Sequence, residues 1–216
     1  MRTHKRLIAL SLALVAGLAA CKDSTGSDKK TDNGSGSMSF SFTGSTTGSF
    51  SASGAFPTTS GVPTVQFAAA VRDTTSTGEP YMVLLGFQPT TSGRGHLVEF
   101  DFANSTAPQT LTLDEACYSH STLTGCAIAL VGLNYDLSTS SSVAGEESYF
   151  FDSGTFTVTS VDATHVRGTF TGHATDSDTG HTITVTAGQF DVPFVHPSAA
   201  TLNRALVNRP SLLRTR

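Results

Sequence analysis

The chain has no tryptophan, and its four tyrosines (Tyr81, Tyr118, Tyr135 and Tyr149) are scattered. Sugar-binding β-sandwiches lean on exposed aromatic platforms, so that class is disfavoured. Cations are scarce in the middle of the chain: residues 38–195 hold only Arg72, Arg94 and Arg167 against fourteen carboxylates, a formal −11. Phosphate binding needs a basic surface, so nucleic acid is not an expected partner. Catalytic signatures are missing too: there is no G-x-S-x-G elbow, no H-E-x-x-H pair and no glycine-rich phosphate loop. Six histidines follow residue 20, and no spacing ties one of them to a nucleophile. No enzyme activity and no cofactor are expected. The longest apolar run falls short of the ~20 residues that a membrane-spanning helix requires. No window before residue 198 carries a sustained 3.6-residue apolar stripe, which argues against a helical domain.

What the chain does have is alternation. Phe40 and Phe42 alternate with serine; Phe50, Ala52 and Gly54 resume the pattern beyond a glycine-flanked turn at 44–48. Val65, Phe67, Ala69 and Val71 alternate before a polar turn at 73–78, and residues 81–87 are nearly all apolar, as a strand buried on both faces would be. Val98, Phe100 and Phe102 oppose Glu99 and Asp101. Leu111 and Leu113 precede the cysteines, and a further apolar stretch spans 127–137. The last third adds Phe156 and Val158, then Val166, Gly168 and Phe170, then Ile183 and Val185, then Phe190, Val192 and Phe194. Period two between turns predicts strands with one face in a core. About ten strands in 38–195 predict one all-β domain, an antiparallel sandwich or barrel, long enough to bury a proper core.

The first 21 residues run from a basic start (Arg2, Lys5, Arg6) through an apolar stretch at 7–15 to Leu18-Ala19-Ala20-Cys21. This order is that of a secretory signal, and its last four residues resemble the lipobox of bacterial lipoproteins. The resemblance implies that residues 1–20 are removed and that Cys21 becomes the acylated N-terminus, a membrane anchor. Lys22, rather than an acid, follows the cysteine, so an inner-membrane retention signal is not evident and the outer membrane of the cell envelope is favoured. Residues 22–37 contain no apolar side chain before Met38, and 21–37 are expected to be a disordered tether. As a flexible coil it would hold the domain roughly 20–24 Å from the anchor.

Residues 153–194 resemble the C-terminal part of small β-rich lipoprotein domains common in Bacteroidetes and related phyla. Gly154, Phe156, Val158, Thr159 and Asp162 carry the first motif; Val166, Gly168 and Phe170 the second; Thr186, Gly188 and Phe190 the third. The resemblance implies an all-β fold and a cell-surface location, and it brings no activity.

Two cysteines remain, Cys117 and Cys126. Beyond an inner membrane an unpaired thiol is open to oxidation, so a disulfide is the expectation, adding roughly 2–3 kcal/mol. Two buried thiols on adjacent strands are the alternative. Zinc is disfavoured, because only His120 lies between them and structural zinc takes four ligands.

The densest polar cluster runs from His173 to His181 and contains Asp176-Ser177-Asp178-Thr179-Gly180. Asp176 and Asp178 present carboxylates that could ligate calcium, and the flanking histidines would suit a transition metal. A polar hairpin turn is the plainer expectation. Glu146 and Glu147 are expected to be solvated loop charges, as are Asp114 and Glu115. The alternating phenylalanines either fill the core or line a cavity for an apolar ligand. Residues 196–216 carry four arginines and no acid. Ser198 could cap a short helix with Leu202, Ala205 and Leu206 on one face, ending before Pro210; disorder is the alternative. Taken together, these features predict a membrane-anchored envelope lipoprotein with a non-catalytic binding or structural β domain. The alternative is a ligand carrier or a calcium-binding module.

Overall fold

The computed structural model describes residues 34–57, 64–74, 78–91, 93–119, 123–136 and 146–196. The expected anchor Cys21, nearly all of the stretch 21–37 expected to be a tether, and the tail beyond His196 lie outside them. Ten strands follow in chain order: β1 (Gly36–Gly44), β2 (Gly48–Gly54), β3 (Phe67–Thr74), β4 (Pro80–Thr91), β5 (Arg94–Ala103), β6 (Gln109–Asp114), β7 (Cys126–Asp136), β8 (Glu147–Val161), β9 (His165–Asp176) and β10 (Thr182–Pro193). A 3₁₀ turn, Glu115–Ser119, separates β6 from β7. There is no α-helix among the described residues. The first strand begins at Gly36, so Gly36 and Ser37 belong to the domain and not to the tether.

All ten strands join one sheet in the order β2-β1-β10-β9-β8-β6-β7-β5-β4-β3. The sheet curls until its ends nearly meet, which resolves the choice between sandwich and barrel in favour of a nearly closed barrel. Past the end of β10, Phe194 bridges Ala70 of β3, and the Val195 amide donates to the Ala70 carbonyl at 2.9 Å. Gly36 leaves room for the backbone carbonyl of Ala68 to lie against β1. Side chains finish the seam: Gln66 Nε2 donates to Ser53 Oγ, and Ser51 N–H donates to Gln88 Oε1. Closure of this kind covers the open strand edges that would otherwise recruit other chains.

Phenylalanine fills the interior. Nine of the fourteen lie in the central cluster with Met38, Met82, Tyr149 and aliphatic side chains from β2 to β10. The rings touch in a continuous network, with Phe100–Phe170 at 4.6 Å, Phe100–Phe156 at 4.9 Å and a near-parallel Phe156–Phe190 stack at 5.2 Å. Inward glycines make room for them. Gly168 of β9 faces Phe190 of β10, and Phe170 of β9 faces Gly188 of β10. A Cβ on Gly168 would lie 2.5 Å from the Phe190 ring; one on Gly188 would lie 2.6 Å from the Phe170 ring. The Val-x-Gly-x-Phe and Thr-x-Gly-x-Phe motifs are therefore one reciprocal cross-strand device, with each ring laid over the neighbouring strand's glycine.

The cysteines correct the disulfide expectation. Cys117 and Cys126 are not joined by a disulfide; they are thiols buried beside Leu123, Ile128 and Leu130. The expectation assumed thiols open to oxidants, whereas this apolar pocket receives both as small hydrophobic groups. Burial pushes the Cys117 thiol up to about 12, and the hydrogen bond with Cys126 and the charges of Cys126 and Asp114 add to the shift. Such a thiol is nearly all protonated at neutral pH and a poor nucleophile.

Two outcomes are expected. Under native, non-reducing conditions Cys117 and Cys126 should resist alkylation, and after denaturation without reductant peptide mass spectrometry should find both alkylated. Gly168→Ala should lower the stability measured by urea unfolding by about 2–3 kcal/mol, because the added methyl overpacks the Phe190 ring and the Thr157 carbonyl.

Candidate functional site

The sheet forks partway along β8. Its first residues pair with β7, from Leu133↔Glu147 to Leu130↔Phe150. Beyond the fork β8 pairs with β6 instead, from Asp114↔Ser153 to Gln109↔Val158. The β8–β9 register slips between Phe151 and Ser153, so Asp152 is the extra residue of a β-bulge. Tyr149 and Phe151 point inward on odd numbers; Phe156 and Val158 point inward on even ones. A bulge changes this parity and re-aims the side chain at the extra position.

A cleft of about 920 Å³ opens at the fork, lined by Asp114, Glu115 and Ala116 on one side and Phe150, Phe151, Asp152, Thr175 and Ser177 on the other. The Asp114 carboxylate accepts from the Ala116 amide at 2.8 Å and so starts the 3₁₀ turn. Asp152 is the hub of the opposite wall. It accepts from Thr175 Oγ1 at 2.6 Å, pairs with His173 Nδ1 at 2.9 Å and accepts from Ser153 Oγ at 3.0 Å. Burial pushes the Asp152 carboxyl up, but the hydrogen bonds from Thr175, His173 and Ser153 outweigh it and hold the group below its ordinary pKa.

The β9–β10 hairpin extends the acidic end. Asp176 is buried, and its carboxylate is used by the fold: Oδ1 accepts from the amides of Asp178 and Thr179, and Oδ2 from that of Ser148 at 2.7 Å. Burial raises the pKa of this carboxyl, while the amides of Thr179, Ser148 and Asp178 lower it further, for a net depression. Asp178 is exposed. The turn closes through Gly180 N–H to Asp176 O and Asp176 N–H to His181 O. Among the described residues no group of three or more His, Cys, Asp or Glu is gathered as metal ligands. His173 and His181, neighbours in the sequence cluster, each take a separate carboxylate: His173 meets Asp152, and His181 Nδ1 meets Glu147 Oε1 at 2.8 Å.

Glu147 departs from its expected role as a solvated loop charge. It begins β8 and accepts from both His181 and the phenol of Tyr149, the latter at 2.9 Å. Burial first, then the hydrogen bond and negative charge of Glu147 and the charge of Asp176, push the Tyr149 hydroxyl far above its ordinary value. The Asp152–His173–Thr175 group is not evident from sequence, because Asp152 and His173 are 21 residues apart and only the β8–β9 register unites them. One signal was present: the parity change from Tyr149 and Phe151 to Phe156 and Val158, which marks a bulge between them.

An Asp–His pair is half of an acid–base machine, and here Asp152 engages His173 through Nδ1. The hydroxyl of the same group, Thr175 Oγ1, donates to Asp152 and not to the imidazole. The three side chains thus do not make the nucleophile–base contact that acyl transfer requires. The cleft offers carboxylates, hydroxyls and a phenylalanine floor, a surface suited to cationic or hydrogen-bonding groups. Compared with protein families, curated proteins and solved structures, the chain matches none.

Asp152 and Asp176 titrate below the ordinary carboxylate value in the fold, so near pH 4 the folded protein binds fewer protons than the unfolded chain. Their contribution is complete above the ordinary pKa and drains away as pH falls through the lowered folded values. Asp176→Ala should cost about 2–3 kcal/mol at pH 7, by stranding amides it now accepts from, and should flatten the loss of stability between pH 5 and 3. His173→Ala, at a part-exposed pair, should cost under about 1 kcal/mol. Thermal melts across that pH range check both.

Proposed function

We propose that the protein is a lipid-anchored envelope module, acylated at Cys21, whose barrel binds or scaffolds through its outer surface and performs no catalysis. The observation that carries this reading is the filled interior. The phenylalanine rings stack on one another and on inward glycines, so the residues that would otherwise line an apolar cavity are occupied with the core. Binding then falls to the outside, and the fork cleft, with Asp114, Glu115 and Asp152 at its walls, is a recess that could serve it. The lipobox resemblance supplies the anchor, and the polar stretch after Cys21 supplies the reach.

Two measurements test the parts separately. Cys21→Ala, or an inhibitor of lipoprotein signal peptidase, should leave unprocessed precursor and remove the mature protein from the membrane fraction; unchanged fractionation would refute the anchor. A melting-temperature panel of calcium, zinc, EDTA, lipids and polyamines addresses the barrel. A ligand at 100 times its dissociation constant adds about 2.7 kcal/mol, a shift of several degrees. A shift with lipid that is unaffected by Asp152→Asn would restore an interior carrier. A shift with calcium abolished by Asp176→Ala and by Asp178→Ala would restore the metal-binding reading.

A further inference from the structure

The two thiols and the fork cleft are neighbours. Both sulfurs are gathered at Thr112: Cys126 is its partner in the parallel β6–β7 pairing, and Cys117 Sγ donates to its carbonyl at 3.9 Å. The thiols also hydrogen-bond to each other, and the Asp114 amide donates to the Cys117 sulfur. Their surroundings are apolar, with Leu123, Ile128 and Leu130 buried around them and Ala103 and Phe150 packed alongside. On the cleft side the wall is thin. Cys117 sits in the 3₁₀ turn directly after Glu115 and Ala116, which line the cleft, and Phe150 borders both the cleft and the thiol cluster. The cleft brings three carboxylates, those of Asp114, Glu115 and Asp152, and among its described lining residues no cation. Such a recess concentrates cations next to the sulfurs.

We propose that Cys117 and Cys126 form a two-coordinate site for a soft closed-shell cation, copper(I), which enters by way of the fork cleft. The donor set decides the metal. Thiolates select copper(I) over hard ions, whereas structural zinc takes four ligands. Among the described residues no third His, Cys, Asp or Glu is gathered with the pair to hold a metal. Two sulfurs in an apolar shell leave a metal only a linear geometry, which copper(I) accepts and calcium and zinc do not. A thiol–thiol hydrogen bond and a sulfur–metal–sulfur line have similar spans, so the ion takes the place of the shared proton with little movement of either element. Binding is an exchange without redox: copper(I) forms two sulfur bonds and both thiol protons go to solvent. The site then carries one negative charge, which the Asp114 amide faces. Entry by the cleft rests on the outward-binding reading of the barrel; the sulfur pair stands without it.

Anaerobic titration of the reduced full chain with copper(I) tests the site, with Cys21→Ala in every sample so that no third thiol competes. One copper(I) per chain should bind, with a thiolate-to-copper charge-transfer band in the ultraviolet, and an excess of zinc should not displace it. Against a copper(I) chelator, Cys117→Ala and Cys126→Ala should each weaken binding at least about 100-fold, since the second sulfur no longer acts within the same molecule. Undiminished binding in either variant would overturn the proposal. Should the variants fail to fold, X-ray absorption at the copper edge of the chain with both thiols intact supplies a second measurement: two sulfur neighbours and no nitrogen or oxygen are expected. A third donor would overturn the site, as would copper held by oxygen alone, which would place the ion on the cleft's carboxylates. A cleft ligand found in the melting-temperature panel, with no copper bound to the reduced chain, would overturn the thiol site and leave the outward-binding reading standing. Copper on the two sulfurs, together with a lipid shift that ignores Asp152→Asn, would uphold the thiol site and refute that reading.

Discussion

The packing of phenylalanine rings onto glycine backbones is the constraint on which this barrel rests. A small closed sheet has a narrow interior, and a ring fits there only where the opposite strand gives up its side chain. The reciprocal pairs Gly168–Phe190 and Phe170–Gly188 lock β9 to β10 in one register, because a one-residue slip would turn the core side chains outward and a two-residue slip would place two rings or two glycines together. The bulge at Ala187, whose φ is +52°, lies next to this pair and accommodates the curvature. Core composition, register and curvature are thus aspects of a single packing solution.

Most of the architecture could be read from alternation alone. Strand number, the buried strand at 81–87, the hairpin turns at 44–48 and 177–181 and the absence of helix among the described residues all follow from local pattern. Closure could not, since it depends on Gly36 passing the Ala68 carbonyl and on Phe194 reaching Ala70, contacts between segments far apart in sequence. The cysteines show a different limit. Spacing and compartment suggested a bond, while the pocket formed by Leu123, Ile128 and Leu130 shelters both thiols without one. The fork cleft is a third case: each member was visible as a residue type, but Asp152, His173 and Asp114 come together only through strand pairing.

Charge is distributed with similar economy. Arg167, near the start of β9, is engaged by Asp162 at 2.7 Å and Asp191 at 3.0 Å. Hydrogen bonds from Arg167 and the amides of Thr164 and His165 hold the Asp162 carboxyl far below its usual range. Arg72 stacks over Phe194 at 3.8 Å, beside the seam. The fork, at the other end of β9, keeps its carboxylates matched by hydroxyls, amides and two imidazoles. One end of this strand is electrostatically settled, and the other retains negative potential that a partner could answer.

The pairing of β1 with β10 sets the order of assembly. Ser37 and Asp191 are partners although 154 positions apart in the chain (191 − 37). A growing polypeptide can form the β1–β2 hairpin early, but that hairpin keeps one edge open until the last strand arrives. Folding must therefore wait for nearly the whole domain, and contacts of such long sequence separation make it slow. A chain that stays unfolded while it is being made is also one that can be threaded across a membrane before it closes.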